Sequence, residues 1–277
     1  MAGELYRQLL RNKLALAALA VLALVLLTAL AAPWMAYSDP VRIDLDQIKQ
    51  PPGWDHPFGT DSKGRDIFSR VLYGGRISLA VGFTAALISA LIGLICGLGA
   101  GYFGGRADVL FTIGLDIMLA FPSLLLVIAI GVVLPPGLVP ATLALSLVGW
   151  AVFARLFRGM AYSLKTQPYV EAARASGASH LRIIFRHILP NCLPLTGVVL
   201  MMKIGGFILA ESALSFLGLG AQPPTPSWGS MINLDRIYIH SAPWMVIFPG
   251  MAITLTVMAF NILGDFLRDY WDPKMKG

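Results

Sequence analysis

The sequence predicts an all-α, polytopic membrane protein with six spans. Two observations carry that prediction. Hydrophobic residues make up 57% of the 277-residue chain against 13% charged residues, whereas a water-soluble domain carries about a quarter charged residues. The charges also leave uncharged runs of membrane length between them, and in lipid such a run satisfies its backbone polar groups only by forming a helix.

The first span is Leu14 to Met35, 22 uncharged residues, about 33 Å as a helix and enough for a bilayer core of about 30 Å. Arg7, Arg11 and Lys13 precede it and Ala29-Leu30-Ala31 resembles a cleavage site, but the run is too long for a signal-peptide core and predicts a retained anchor. The second span is Ile77 to Gly105. A third runs from Val109 to Leu134, interrupted by Asp116 and Pro122, and after the tight turn Pro135-Pro136-Gly137 a fourth runs from Leu138 to Phe153. The fifth is Leu193 to Leu219, with Lys203 and Glu211 inside it, and the sixth is Trp244 to Gly264, opened by an aromatic suited to an interface.

Six spans put both termini on one side. With the termini in the cytoplasm, the cytoplasmic loops hold thirteen Lys and Arg residues, Lys274 and Lys276 among them, against seven outside, which follows the positive-inside tendency. The chain then reads as a cytoplasmic segment 1–13 and one transmembrane domain 14–277, with outward loops 37–76 and 220–242 and a cytoplasmic loop 157–191. No solenoid-period repeat or low-complexity linker divides it.

The net charge of +6 is spread over short loops without a basic face, so topology explains it and nucleic acid does not. Cys96 and Cys192 lie in or beside apolar runs and read as small hydrophobes. His56, His180, His187 and His240 have no metal-ligand spacing and read as polar surface residues. Lys165-Thr166 follows Leu164 and lacks the glycine-rich approach of a phosphate loop, so ATP binding of that type is not expected. Neither a Gly-x-Ser-Gly serine, paired intramembrane aspartates nor a His-Glu-x-x-His site points to an intramembrane enzyme.

The loop after the fourth span is long for a helical bundle, where connections take about 2 to 8 residues. Pro168 suits a first helical turn, Tyr169 to Ser176 is good helix sequence, and Gly177 stops it. Ser179 can cap a second helix ending at Pro190, with Ile184, Phe185 and Ile188 as anchors on the bundle. Ala172 and Ala173 let another surface approach the first helix closely. An elbow that passes on a push and an amphipathic loop lying under the membrane fit these residues equally.

Between Asp61 and Arg76, the residues Ile67, Phe68, Val71 and Leu72 share one helical face and Asp66 stands at i,i+4 to Arg70, which predicts an interfacial helix. Gly93, Gly97, Gly101 and Gly105 recur every fourth residue and predict close helix packing. Charges inside spans cost about 3 kcal/mol each on lenient scales, so Asp116, Lys203 and Glu211 have to face the bundle interior, a partner chain or water. Lys203 and Glu211 are eight positions apart and cannot pair within one unbroken helix. Pathway lining and structural pairing remain open for each. A second function class, an ion-coupled secondary transporter, would use these three charges to carry its driving ion.

Glu171-Ala172-Ala173, Gly177 and Ile188-Leu189-Pro190 resemble, at its spacing, the EAA loop of ABC importer permeases. Gly59-Thr60-Asp61-Ser62-Lys63-Gly64-Arg65-Asp66, with Gly74-Gly75-Arg76, is similar to the signature before the second span of dipeptide, oligopeptide and nickel permeases. Glu211 to Gly220, followed by Pro223-Pro224, Pro226, Trp228-Gly229 and Met231-Ile232, resembles the same family. The resemblance implies a type I importer permease fold and a permease subunit of an ATP-driven peptide importer in a bacterial or archaeal cytoplasmic membrane, with a nickel or other small-molecule importer as the alternative. It implies as partners a homologous second permease, two cytoplasmic ATPases and an extracytoplasmic binding protein. This chain would bind no cofactor or metal, ATP and Mg belonging to the ATPases. Glu171, Ala172, Ala173, Arg174 and Gly177 would contact or orient the ATPase, and the outward turn with Pro224 and Trp228 would meet the binding protein.

Overall fold

A computed structural model describes residues 2–271; Lys274 and Lys276, counted above for the orientation, lie outside the described residues. Helix α1 (Ala2–Arg11) leads to α2 (Lys13–Leu30), whose first turn is capped by Asn12 accepting from the Ala15 N–H. Pro33 lies within the short α3 (Ala32–Met35), so the first apolar run is a helix with a break at Ala31 instead of one rod to Met35.

Helix α4 (Ile67–Phe103) is 37 residues long, about 55 Å at ~1.5 Å per residue, and outreaches a bilayer core. It contains the expected second span as far as Phe103, together with most of the predicted interfacial helix. Residues 61–66 form a turn instead, and Asp66 accepts from the Ser69 N–H to cap α4.

The third apolar run bends. Phe121 is extended, as the residue before a proline prefers, and α5 (Gly105–Ala120) meets α6 (Ser123–Val133) at 88°. Helix α7 (Leu138–Leu164) continues well past Phe153. Among the described residues five helices, counting α9 with its continuation as one, are long and apolar enough to cross a membrane, and the α5–α6 pair makes a sixth if taken as one broken span.

After α7 come α8 (Pro168–Ala175) and α9 (His180–Ile183). The chain does not stop at Pro190. It passes through a π-helical stretch, Ile184–Ile188, into α10 (Leu189–Phe216), with the Leu189 N–H on the Ile184 carbonyl. The wider π turn shifts the register just ahead of Pro190, and the Asn191 amide donates to the His187 carbonyl at 2.6 Å. Helices α11 (Trp228–Asp235) and α12 (Trp244–Trp271) complete the bundle. Among the described residues there is no strand, only an isolated antiparallel bridge between Thr60 and Asp66.

Helices α4 and α7 form the centre of the packing, with α10 against α4 and α12, and α2 against α12. A Cβ on Gly93 would stand 2.5 Å from Phe153 Cβ, and one on Gly97 2.4 Å from the Ala154 carbonyl oxygen. The glycine seam therefore works through Gly93, Gly97 and Gly101, as small residues do in membrane helix pairs. Gly105 has left the seam: it lies at positive φ beyond the end of α4, with nothing near its missing Cβ.

Candidate functional site

The loop between α7 and α10 is built from a turn that its residues demand. Gly177, at φ +78°, closes α8 with two bonds, its own N–H to the Arg174 carbonyl and the Ala178 N–H to the Ala173 carbonyl. That is the Schellman pattern, in which a left-handed residue satisfies the last carbonyls of a helix. Ser179 then caps α9 by accepting from the Arg182 N–H.

One face of the loop is held and the other is free. Val170, Ile183 and Ile188 are completely buried with Phe153, Phe157 and Tyr102 in one apolar cluster. Glu171, Ala172, Arg174 and Gly177 are not held in it, whereas Ala173 packs half-buried against that cluster. Ala172 thus offers the close-approach surface, and Ala173 faces its own chain. Phe185 is 60% exposed and does not anchor the elbow; Ile183 takes that part.

Polar contacts fasten the loop to the end of α4. Tyr102 Oη is 2.9 Å from His180 Nδ1, and Lys165 Nζ donates to the Gly101 carbonyl at 2.9 Å. Arg158 of α7 grips Asp108 of α5 through Nε at 2.5 Å and a second nitrogen at 2.8 Å. His180 is therefore part of the loop's attachment, not an idle surface histidine.

The opposite end of α4 carries a buried polar knot. Asp61 Oδ1 accepts from the Lys63 and Arg65 N–H groups, and its Oδ2 receives Arg65 Nε at 2.6 Å and lies 3.5 Å from Arg70 Nε. Arg70 also donates to the Pro40 carbonyl at 2.7 Å. Asp66 does not pair with Arg70; one of its oxygens faces His56 Nδ1 at 2.9 Å while the other caps α4. Gly64 has φ +71°, and a Cβ there would fall 1.7 Å from the Asp44 carbonyl oxygen, so glycine is required.

Asp235 reaches the knot from α11, accepting from the Ser62 N–H at 3.4 Å. Burial pushes its carboxyl above the usual range, opposed by the Ser62 bonds, with Asp61 adding to the rise and Arg65 countering it.

Trp228 is 2% exposed and does not present its ring to another protein. It lies over Gly74 and Gly75, where added Cβ atoms would meet the indole at 3.2 and 3.0 Å, and donates Nε1–H to the Val71 carbonyl at 2.9 Å. Pro224, in the preceding turn, is exposed.

The three intramembrane charges separate in space. Glu211 is fully buried, accepting from Ser78 Oγ of α4 at 2.8 Å and from Ser215 Oγ at 2.7 Å, while Ser215 Oγ accepts the Ala221 N–H. It ties α4 to the end of α10. Asp116 lies on an exposed flank paired with Arg155, not in the bundle interior. Lys203 lines a cavity of about 530 Å³ between α5, α6, α7 and α10.

Sequence reasoning missed Ser78, Tyr102, Lys165 and Asp235, because each acts through a partner distant in the chain, and Ile183, because the π-helical stretch after it alters the helical spacing. Among the described residues no group of three or more His, Cys, Asp or Glu side chains is placed to hold a metal.

Residues 68–277 match the family model described as binding-protein-dependent transport system inner membrane component. Residues 2–52 match the N-terminal transmembrane domain of oligopeptide transport permease C. A dipeptide transport system permease protein, DppC, of Alkalihalophilus pseudofirmus is 46% identical over 273 residues, covering 99% of this chain and 90% of that protein. A glutathione transport system permease protein, GsiD, of Escherichia coli is also 46% identical, over 275 residues, covering 99% and 91%. Among solved structures, a chain of the MetNI methionine ABC transporter aligns with a TM-score of 0.49 at 19% identity, over 70% of this chain and 95% of that one; family membership rests on the sequence matches. The chain belongs to the family of binding-protein-dependent transport system inner membrane components and is an ABC importer permease subunit.

Proposed function

We propose that this permease carries peptides, and that the exposed face of α8 receives the work of ATP hydrolysis from a separate cytoplasmic ATPase. The observation that carries the coupling assignment is the asymmetry of the loop: Val170, Ile183 and Ile188 bury one side, while Glu171 and Ala172 stand free on the other. Gly177 sets the angle between α8 and α9. A push on α8 meets a loop bolted to the last turn of α4 by Tyr102–His180 and Lys165–Gly101. Helix α4 then carries the displacement along its whole length to the knot at Asp61 and Arg70.

In this reading the permease pairs with a homologous second permease, two ATPases bind ATP and Mg, and a binding protein delivers substrate at the knot end near Pro224. The loop end and both termini face the cytoplasm, in line with the excess of Lys and Arg in those loops. Relatives named for dipeptide and glutathione transport favour a small peptide as cargo.

The test is uptake of a labelled dipeptide by proteoliposomes holding the complete complex, with loaded binding protein outside and ATP inside. Uptake is expected to require the ATPases and to ignore an uncoupler. Uptake that persists without ATPases and collapses with an uncoupler overturns the proposal.

A further inference from the structure

The cavity at the bend of the third apolar run contains one charge. Seventeen residues line it, and Lys203 is the single ionisable side chain among them; Ser123 is the single hydroxyl. Phe121, Pro122, Val148 and Phe207 supply apolar walls. Its volume of about 530 Å³ lies within the range of small-ligand sites.

Lys203 lies near the midpoint of α10, roughly 20 Å from either end at ~1.5 Å per residue. An ammonium at that depth is costly in hydrocarbon, so it needs a compensating group. The other two intramembrane charges do not provide one: Glu211 is committed to Ser78 and Ser215, and Asp116 to Arg155. Lys203 makes no hydrogen bond or ion pair among the described residues. Phe121, Leu124 and Leu209 of the lining are exposed in this chain, and Lys203 itself is half-buried.

From these observations we infer that Lys203 pairs with a carboxylate of the peptide as it crosses, so that the cavity is a transient carboxylate subsite halfway along the path. The inference rests on the peptide reading above. The lining matches such a cargo, because apolar walls accept varied side chains without selecting among them. One cation meets the carboxylate that every unmodified peptide carries at its C-terminus. Ser123 and Leu124, at the start of α6, line the same space, and no side chain caps that helix; a helix start favours negative charge.

The experiment compares wild type, Lys203→Gln and Lys203→Arg in the complete reconstituted complex. Uptake of a dipeptide and ATP hydrolysis stimulated by loaded binding protein are measured in parallel. In Lys203→Gln, dipeptide uptake is expected to fall at least tenfold while stimulated hydrolysis stays within twofold of wild type. Lys203→Arg keeps the charge and is expected to retain uptake within threefold.

A second arm uses the same dipeptide with its C-terminus amidated, at concentrations that saturate the binding protein. The mutant-to-wild-type uptake ratio for the amide is expected to stay near one. Unchanged dipeptide uptake in Lys203→Gln overturns the inference, as does an equal loss for peptide and amide. Loss of stimulated hydrolysis together with uptake also overturns it, assigning Lys203 to a structural pair with the second permease. Absence of dipeptide uptake by wild type would instead refute the peptide reading, so the two failures are distinguishable.

Discussion

Tyr102 Oη lies 2.9 Å from His180 Nδ1, joining the last turn of α4 to the first turn of α9. Tyr102 is buried and its ring also packs edge-on against His180. A neutral hydrogen bond of this type is worth about 1 kcal/mol net. Tyr102→Phe removes the bond and keeps the ring, so the complex is expected to assemble normally. Stimulation of ATP hydrolysis by loaded binding protein is expected to drop by about fivefold, the factor that ~1 kcal/mol represents, which a phosphate-release assay on the reconstituted complex measures.

Gly177→Ala tests the turn separately from space. Nothing lies within 4 Å of the added methyl, yet φ is +78°, and an L-residue there costs about 1 to 2 kcal/mol. Stimulated hydrolysis is expected to fall with basal hydrolysis unchanged. Gly177→Asn tolerates the left-handed conformation better and is expected to retain more stimulation than Gly177→Ala.

Glu211→Ala leaves the Ser78 and Ser215 hydroxyls buried without their acceptor, at about 1 to 3 kcal/mol for each unsatisfied group. Thermal unfolding of the detergent-solubilised complex is expected to shift to lower temperature. Glu211→Gln, which keeps an acceptor oxygen, is expected to recover most of the shift. Transport per folded complex in Glu211→Gln should stay close to wild type, since Glu211 is wholly buried in a tie between α4 and α10.

These residues show how far the sequence could be read. The six apolar runs were legible because lipid imposes a helix on each, and Pro122 marked the bend of the third. Of the three expected anchors of the elbow, Ile184 and Ile188 are buried and Phe185 is not. Regular helical spacing joins Phe185 to Ile188, but the π stretch from Ile184 to Ile188 brings residues five apart onto one side, so Ile183 and Ile188 are buried and Phe185 is not. The local i,i+4 rule likewise suggested Asp66 with Arg70, whereas Asp66 caps α4 and Arg70 turns to Asp61, nine positions back. Trp228 read as an outward contact because its neighbours are prolines. Its slot over Gly74 and Gly75 depends on residues about 150 positions away, which no local pattern reveals.

The knot predicts a pH dependence. The Asp235 carboxyl is raised in the folded state by burial and by Asp61, so the folded protein binds a proton that the unfolded chain has released. Its contribution to stability is therefore fullest below the unfolded value and declines as pH rises through the raised folded value. Asp235→Asn removes this titration while keeping an acceptor for the Ser62 N–H. Melting temperatures from acidic to neutral pH are expected to show a flatter profile in Asp235→Asn, with the gain over wild type largest at neutral pH.

The coupling role of α8 is tested most directly by substrate-stimulated ATP hydrolysis in the reconstituted complex carrying Glu171→Lys. Glu171 is exposed on α8 and makes no side-chain hydrogen bond or ion pair among the described residues, so the permease is expected to insert and assemble as wild type. Stimulation by loaded binding protein is expected to fall to the basal rate, with peptide uptake lost in parallel. An assembled Glu171→Lys complex that hydrolyses ATP and carries peptide like wild type would contradict the claim that α8 receives the work of the ATPase.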